Sequence, residues 1–217
     1  MRYFTVILLV FGLFISAQTT AQTVSQKGSL FVDVTIPTNE QNRAFSRTME
    51  GMFNGAIGYQ YNVFKGLTIG AGAKYSFFVN NRIEFGGTMG GGGTHIPGGF
   101  LKIGYEKFTT DRISLYAGIK GGYANIMVYN DSCAAKLNGP FQKPTFFLEP
   151  QLEVNILTEI GAPSAFNMIV SYGWNFQEFT SDFICRSSFP GFIEEFSEGY
   201  IRYLSIGFGY KHYFGGR

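Results

Sequence analysis

Charge is scarce in this chain. Asp, Glu, Lys and Arg make up 15% of its 217 residues, and 17 basic against 15 acidic side chains leave a formal charge of +2. No Lys/Arg-rich run occurs, so nothing is set up to attract a nucleic-acid backbone, and nucleic acid is not an expected partner. Histidine and cysteine are thin as well, two of each, with neither an HExxH motif nor a Cys/His ligand spacing. Neither a metal centre nor any other cofactor is expected. After residue 21 no stretch approaches the ~18 to 20 uncharged apolar residues of a membrane helix. Disorder is excluded too, because it requires low hydrophobicity with high net charge. What the chain has in plenty is glycine, 29 residues, roughly twice the usual ~7% share. It also has 24 phenylalanines and 13 tyrosines but one tryptophan. Its mean hydropathy of +0.05 is too high for an ordinary soluble surface and too low for a helical membrane bundle.

The N-terminus reads as an export signal. Arg2 supplies one positive charge, Val6 to Ile15 is unbroken apolar sequence, and Ser16-Ala17 and Thr19-Thr20-Ala21 offer small residues for cleavage. That is the layout of a secretory signal peptide over residues 1–21, with cleavage after Ala21, and residues 22–217 form the mature domain. No cysteine follows the site directly, so a lipid-anchored start is not expected.

The mature chain alternates with period two, the mark of strands with one apolar face. Phe53, Ile57, Tyr59, Tyr61 and Val63 lie on one side, with Asn54, Ala56, Gly58, Gln60 and Asn62 on the other. The same pattern recurs in segments beginning near Leu30, Leu67, Leu101, Ile113, Phe146, Phe166 and Tyr203, giving eight strands. Their connections alternate as well. Three are tight (Lys65-Gly66, Thr109 to Arg112, Thr158 to Ala165), and four are long and polar or glycine-rich (Pro37 to Gly51, Asn81 to Pro97, Asn130 to Pro144, Glu178 to Ser197).

Long loops at one end and tight turns at the other are the plan of an all-β, eight-stranded antiparallel up-and-down transmembrane barrel with short periplasmic turns and long extracellular loops. A lipocalin-like soluble barrel would share the strand count but turn its apolar face inward around a ligand. The polar face here carries Gly, Ser, Asn and opposite charges, which suits a narrow wet lumen, since eight strands leave room for little beyond side chains.

Parity places Asp33, Lys74, Lys102, Glu106, Lys120, Glu149, Glu153 and Lys211 on that inner face, four of each sign. Buried charges persist only when paired. Pairing about the tight turn sets Lys102 beside Lys120, so a cluster of these lysines with Glu149 and Glu153 is expected to plug the barrel. An ion gate is the functional alternative. Outward aromatics sort toward strand ends. Tyr59, Tyr61, Tyr105, Tyr210 and Phe214 lie near the short turns, while Tyr75, Phe77, Tyr123, Trp174 and Tyr200 lie near the long loops, as two interfacial girdles require. Cys133 and Cys185 fall in the third and fourth long loops, and a disulfide between them is expected outside the cytoplasm, with free thiols as the alternative. The glycine run from Gly86 to Gly93 lacks a phosphate-loop signature and reads as a surface loop. For catalysis, His95 in a long loop with Ser181 or Ser187 is the sole candidate grouping, and no spacing fixes it; His212 belongs to the opposite end.

The signal peptide, the strands GLTIGAGAKY, ISLYAGIKGGY and LSIGFGYKHYF, and the aromatic close at Phe214 resemble the small OmpA/OmpX-like outer-membrane barrels of Gram-negative bacteria, in the form common in Bacteroidota. The resemblance covers residues 22–217. It implies insertion by the barrel-assembly machinery and contact with outer-membrane lipids and lipopolysaccharide. It further implies a non-enzymatic structural or surface-binding role, alone or with a partner in a larger outer-membrane assembly. A narrow, porin-like ion or solute channel is the alternative, and a lipid-modifying barrel enzyme is a third.

Overall fold

A computed structural model describes residues 27–81, 92–185 and 198–215; the expected signal peptide lies outside the described residues. Eight strands follow one another: β1 (Gly28–Gln41), β2 (Met49–Phe64), β3 (Leu67–Asn80), β4 (Gly93–Phe108), β5 (Ile113–Tyr129), β6 (Phe141–Leu157), β7 (Ser164–Glu178) and β8 (Tyr200–Phe214). Each pairs antiparallel with its sequence neighbours, and β8 returns to β1 from Gly28↔Phe214 upward, so the barrel is closed and leaves no free sheet edge around its circumference. No helix among the described residues is long and apolar enough to cross a membrane.

The tight turns follow from local chemistry. Between β2 and β3 only Lys65 and Gly66 intervene, both at positive φ (40° and 96°), the handedness that lets a two-residue turn match the strand twist. At the other end the chain adds α1 (Arg43–Thr48), α2 (Asp131–Leu137) and a 3-10 turn over Ser181–Ile184. Asparagines cap both helices. Asn42 Oδ1 accepts from the Phe45 amide at 3.0 Å, and Asn130 Oδ1 from the Cys133 amide at 2.7 Å.

Alternation assigns the faces as expected. Ile57 and Val170 stand outward and exposed, and Leu115 shares their face. Lumen positions such as Asp33, Asn54, Lys74, Lys102 and Asn167 are buried. The lipocalin-like arrangement is thereby excluded.

The strands themselves are longer than the sequence pattern indicated. At 14 to 17 residues they exceed the ~9 to 11 needed to cross a bilayer. The surplus lies at the long-loop end: β1 continues to Gln41, β4 begins at Gly93, β5 runs to Tyr129 and β6 begins at Phe141. The first long loop shrinks to little more than α1. The reason is visible at inner positions Ile96, Ala124, Ile126 and Val128, which are apolar and buried. With both faces apolar the polar/apolar contrast disappears while the strand goes on. Prolines interrupt the ladders without ending strands. No β4–β5 pair forms between His95↔Met127 and Gly98↔Ala124, around Pro97. None forms between β6 and β7 from Leu148↔Trp174 to Gln151↔Ser171, around Pro150.

Candidate functional site

The barrel interior gathers the chain's buried ionisable groups. All eight charged residues expected on the inner face are there, and each bears an ion pair across or along the lumen. Lys102 Nζ lies 2.7 Å from Glu153, Lys211 Nζ 2.8 Å from Glu153 and 3.5 Å from Glu106, and Lys120 Nζ 3.1 Å from Asp33 and 3.8 Å from Glu149. Lys74 donates to Glu149 and, at 3.1 Å, to the Tyr203 hydroxyl. Register sets Lys102 opposite Lys120 and Lys120 opposite Glu149, as pairing from the turn indicated. Register did not give the cross-lumen partners: β1 supplies Asp33 to Lys120, and β6 supplies Glu153 to both β4 and β8.

Neutral groups complete the coordination of the acids. Glu106 accepts from Gln60 Nε2 (2.9 Å), Ser114 Oγ (2.8 Å), Asn155 Nδ2 (3.1 Å) and Tyr213 Oη (2.6 Å). The ammonium groups also rest on rings: Lys102 Nζ is 4.3 Å from the Phe31 centroid and 4.1 Å from that of Tyr116, and Lys74 Nζ is 4.4 Å from that of Phe147. Inner-face glycines make room for such rings. A Cβ at Gly104 or Gly118 would come within 2.3 or 2.0 Å of the Tyr116 hydroxyl, and one at Gly173 within 2.6 Å of the Tyr203 ring. These glycines are therefore beds for aromatic side chains, not the lining of an open channel.

The expectation of a wet lumen needs correction at both ends. Toward the long loops the interior is an apolar core, with Phe78, Ile96, Ile126, Val128 and Ile201 from the strands, Phe45 from α1, and Phe179, Phe183 and Ile184 from the last long loop. Phe45 packs edge-on against Phe78 (5.0 Å) and Phe179 (5.2 Å). At the short-turn mouth Leu157, Ala165 and Tyr213 form a second apolar cluster with Phe108 against it. The charged midsection between them is nearly solvent-free, its paired side chains 0 to 7% exposed. Sequence reading missed the long-loop core. The one available signal was the continued period-two spacing of Ile96, Ala124, Ile126 and Val128; nothing local marked Phe45 or Phe183 as inward.

Cys133 and Cys185 are joined by a disulfide, Cα to Cα 5.0 Å, which ties α2 to the turn carrying Phe183 and Ile184. The aromatics assigned to the girdles stand on the outer face. Near the short turns Tyr59 meets Phe214 (6.3 Å) and Tyr210 meets Phe166 (5.9 Å), with Tyr61 and Tyr105 exposed beside them. Near the long loops Tyr123 meets Phe146 (5.3 Å), Trp174 meets Tyr172 (5.4 Å) and Tyr200 meets Phe176 (5.6 Å). Tyr75 and Phe77 both pack on His95.

His95 is accordingly misplaced by the sequence reading. It lies in β4 and not in a loop, because the strand starts earlier than its pattern shows. Its Nδ1 is hydrogen-bonded to the Tyr75 hydroxyl. Ser181 opens the turn that folds over the barrel mouth, with no hydrogen bond to His95, and Ser187 lies outside the described residues. His212 faces outward beside Phe214 (4.9 Å), at the short-turn end. Residues 86–91 of the glycine run also lie outside the described residues. No group of three or more His, Cys, Asp or Glu among the described residues has the arrangement of a metal site.

No protein-family model matches the chain, and no curated protein matches it in sequence. Solved structures do match in shape. Neisserial surface protein A (NspA) aligns at a TM-score of 0.55 with 11% identity, over 86% of this chain and 97% of that one. The outer membrane protein OprG of Pseudomonas aeruginosa aligns at 0.47 with 12% identity, over 86% and 96%. The fold is that of the eight-stranded outer-membrane β-barrels.

Proposed function

We propose that this chain is an integral outer-membrane protein, exported through a cleaved signal peptide and inserted by the barrel-assembly machinery, that works without catalysis. It acts through its long extracellular loops as a structural or surface-binding protein, or as a subunit of a larger outer-membrane assembly. One observation carries this reading: the interior is filled and charge-neutral, with its ion pairs held between two apolar closures, so the barrel offers surfaces and not a passage. The two outward aromatic rows support the membrane placement, since amphipathic rings belong at headgroup depth. The extracellular rim would contact lipopolysaccharide.

Planar-bilayer recordings of the purified protein are expected to show no steady ion current. A sustained current that changes on Glu149→Gln would replace this reading with a narrow channel. Co-purification from native membranes in mild detergent then separates a lone surface protein from a subunit, because a stoichiometric partner appears only in the second case.

A further inference from the structure

The outer wall carries a groove of about 760 Å³ across β2 to β6, inside the ~300 to 1,000 Å³ range of small-ligand sites. Strand register makes it. Tyr59, Ala71, Leu101, Gly121 and Leu148 are successive cross-strand neighbours in one outward row, so bulky side chains alternate with a methyl and bare backbone. Leu101, 72% exposed, rises beside the hollow as the most exposed large apolar side chain of the wall.

The fold does not demand the glycine. A Cβ on Gly121 would meet nothing nearer than Leu148 Cδ1 at 3.6 Å, ordinary contact, whereas the inner glycines sit under rings. Glycine within a strand weakens it and often marks the close approach of another group. Here the approaching group comes from outside the barrel.

Position and polarity select the occupant. At one end stand Tyr59 and Tyr61, whose hydroxyls belong to the short-turn girdle; the remaining outward lining is hydrocarbon. Donors at headgroup depth followed by an apolar trough match a lipid with its head toward the short turns and one chain along the wall. A second barrel fits poorly, because eleven residues line the groove against the ~20 to 30 per side of a stable protein interface.

We propose that this groove binds an acyl chain of a periplasmic-leaflet phospholipid, with the head group held at the Tyr59 and Tyr61 hydroxyls. The site rests on the membrane placement proposed above.

The test is native mass spectrometry of the mature protein in dodecyl maltoside with dioleoylphosphatidylethanolamine. Wild type is expected to retain one phospholipid. Gly121→Phe fills the hollow and is expected to lower retention about tenfold, equivalent to about 1.4 kcal/mol. Ile206→Phe, on the far wall, leaves retention unchanged. Heat-dependent gel mobility confirms that each variant is folded. Absence of the adduct in wild type overturns the proposal, as does an adduct that survives Gly121→Phe. A dimer lost on Gly121→Phe would make the occupant a second copy, and preferential retention of lipopolysaccharide in competition would move it to the other leaflet. Membrane fractionation is read separately: recovery of native protein outside the outer membrane removes the placement itself, whatever the adduct does.

Discussion

The barrel holds two interiors of opposite chemistry. From its midsection to the short turns, the space is filled by ion pairs and hydrogen bonds that the strands supply alone. Toward the long loops it is filled by phenylalanine, isoleucine and valine, and the strands cannot close it without α1 and the turn at Ser181–Ile184. The lower half is therefore held by directional contacts between partners fixed in the sheet, and the upper half by the hydrophobic effect, as in a soluble domain. The difference teaches where each half is fragile. A buried charge that loses its partner is a large local penalty, whereas an apolar core loses stability with the area and volume removed.

The largest effect is expected where one acid serves two bases. Glu153→Ala leaves Lys102 and Lys211 without their shortest contacts, and a loss of about 5 kcal/mol, the upper end for a broken buried pair, is expected in urea unfolding of the reconstituted protein. Glu153→Gln keeps shape and hydrogen-bonding capacity and should lose less. Equal losses for the two would mean that packing, and not charge, holds the lower half. In the upper half Phe183→Ala should cost about 3 kcal/mol, the low end for a buried phenylalanine. Its ring also meets Phe141 (4.8 Å) and Phe179 (5.1 Å), so the loss should appear first as faster proteolysis at the long-loop end. Replacing both cysteines by serine is expected to have the smallest effect, about 2 kcal/mol, the low end for a disulfide. It should loosen the loops and leave the lower barrel protected in hydrogen exchange. Simultaneous loss of protection in both halves would show that they unfold as one unit and break the comparison.

Legibility follows the same division. The lower half could be read because each inner residue differs sharply from its outward neighbours: Lys74 lies between Ala73 and Tyr75, and Glu153 between Leu152 and Val154. The inner charges were identified individually, yet only the neighbouring lysine pair and Lys120 with Glu149 followed from register. Contacts such as Lys120 with Asp33 depend on how closure brings β1 across from β5. In the upper half Ile96 and Ile126 are as apolar as their outward neighbours, so the pattern read as loop, and His95 was assigned to a loop with them. Phe45 and Phe183 lie in short helical segments whose direction over the mouth is set by barrel diameter and by the disulfide. The outer groove was hidden for a related reason: Tyr59, Ala71, Leu101, Gly121 and Leu148 come from five strands and become one row only through register.

Order along the chain was enough to determine the strand count, the alternation of tight and long connections, the outward direction of the apolar ribbon and the identity of the charges it hides. These depend on periodicity within a strand and on local turn chemistry. Closure decided the rest: which lysine meets which acid, the sealing of the lumen at both ends and the hollow on the wall. Such features arise between residues far apart in sequence, whose distances are fixed only when the eighth strand pairs with the first.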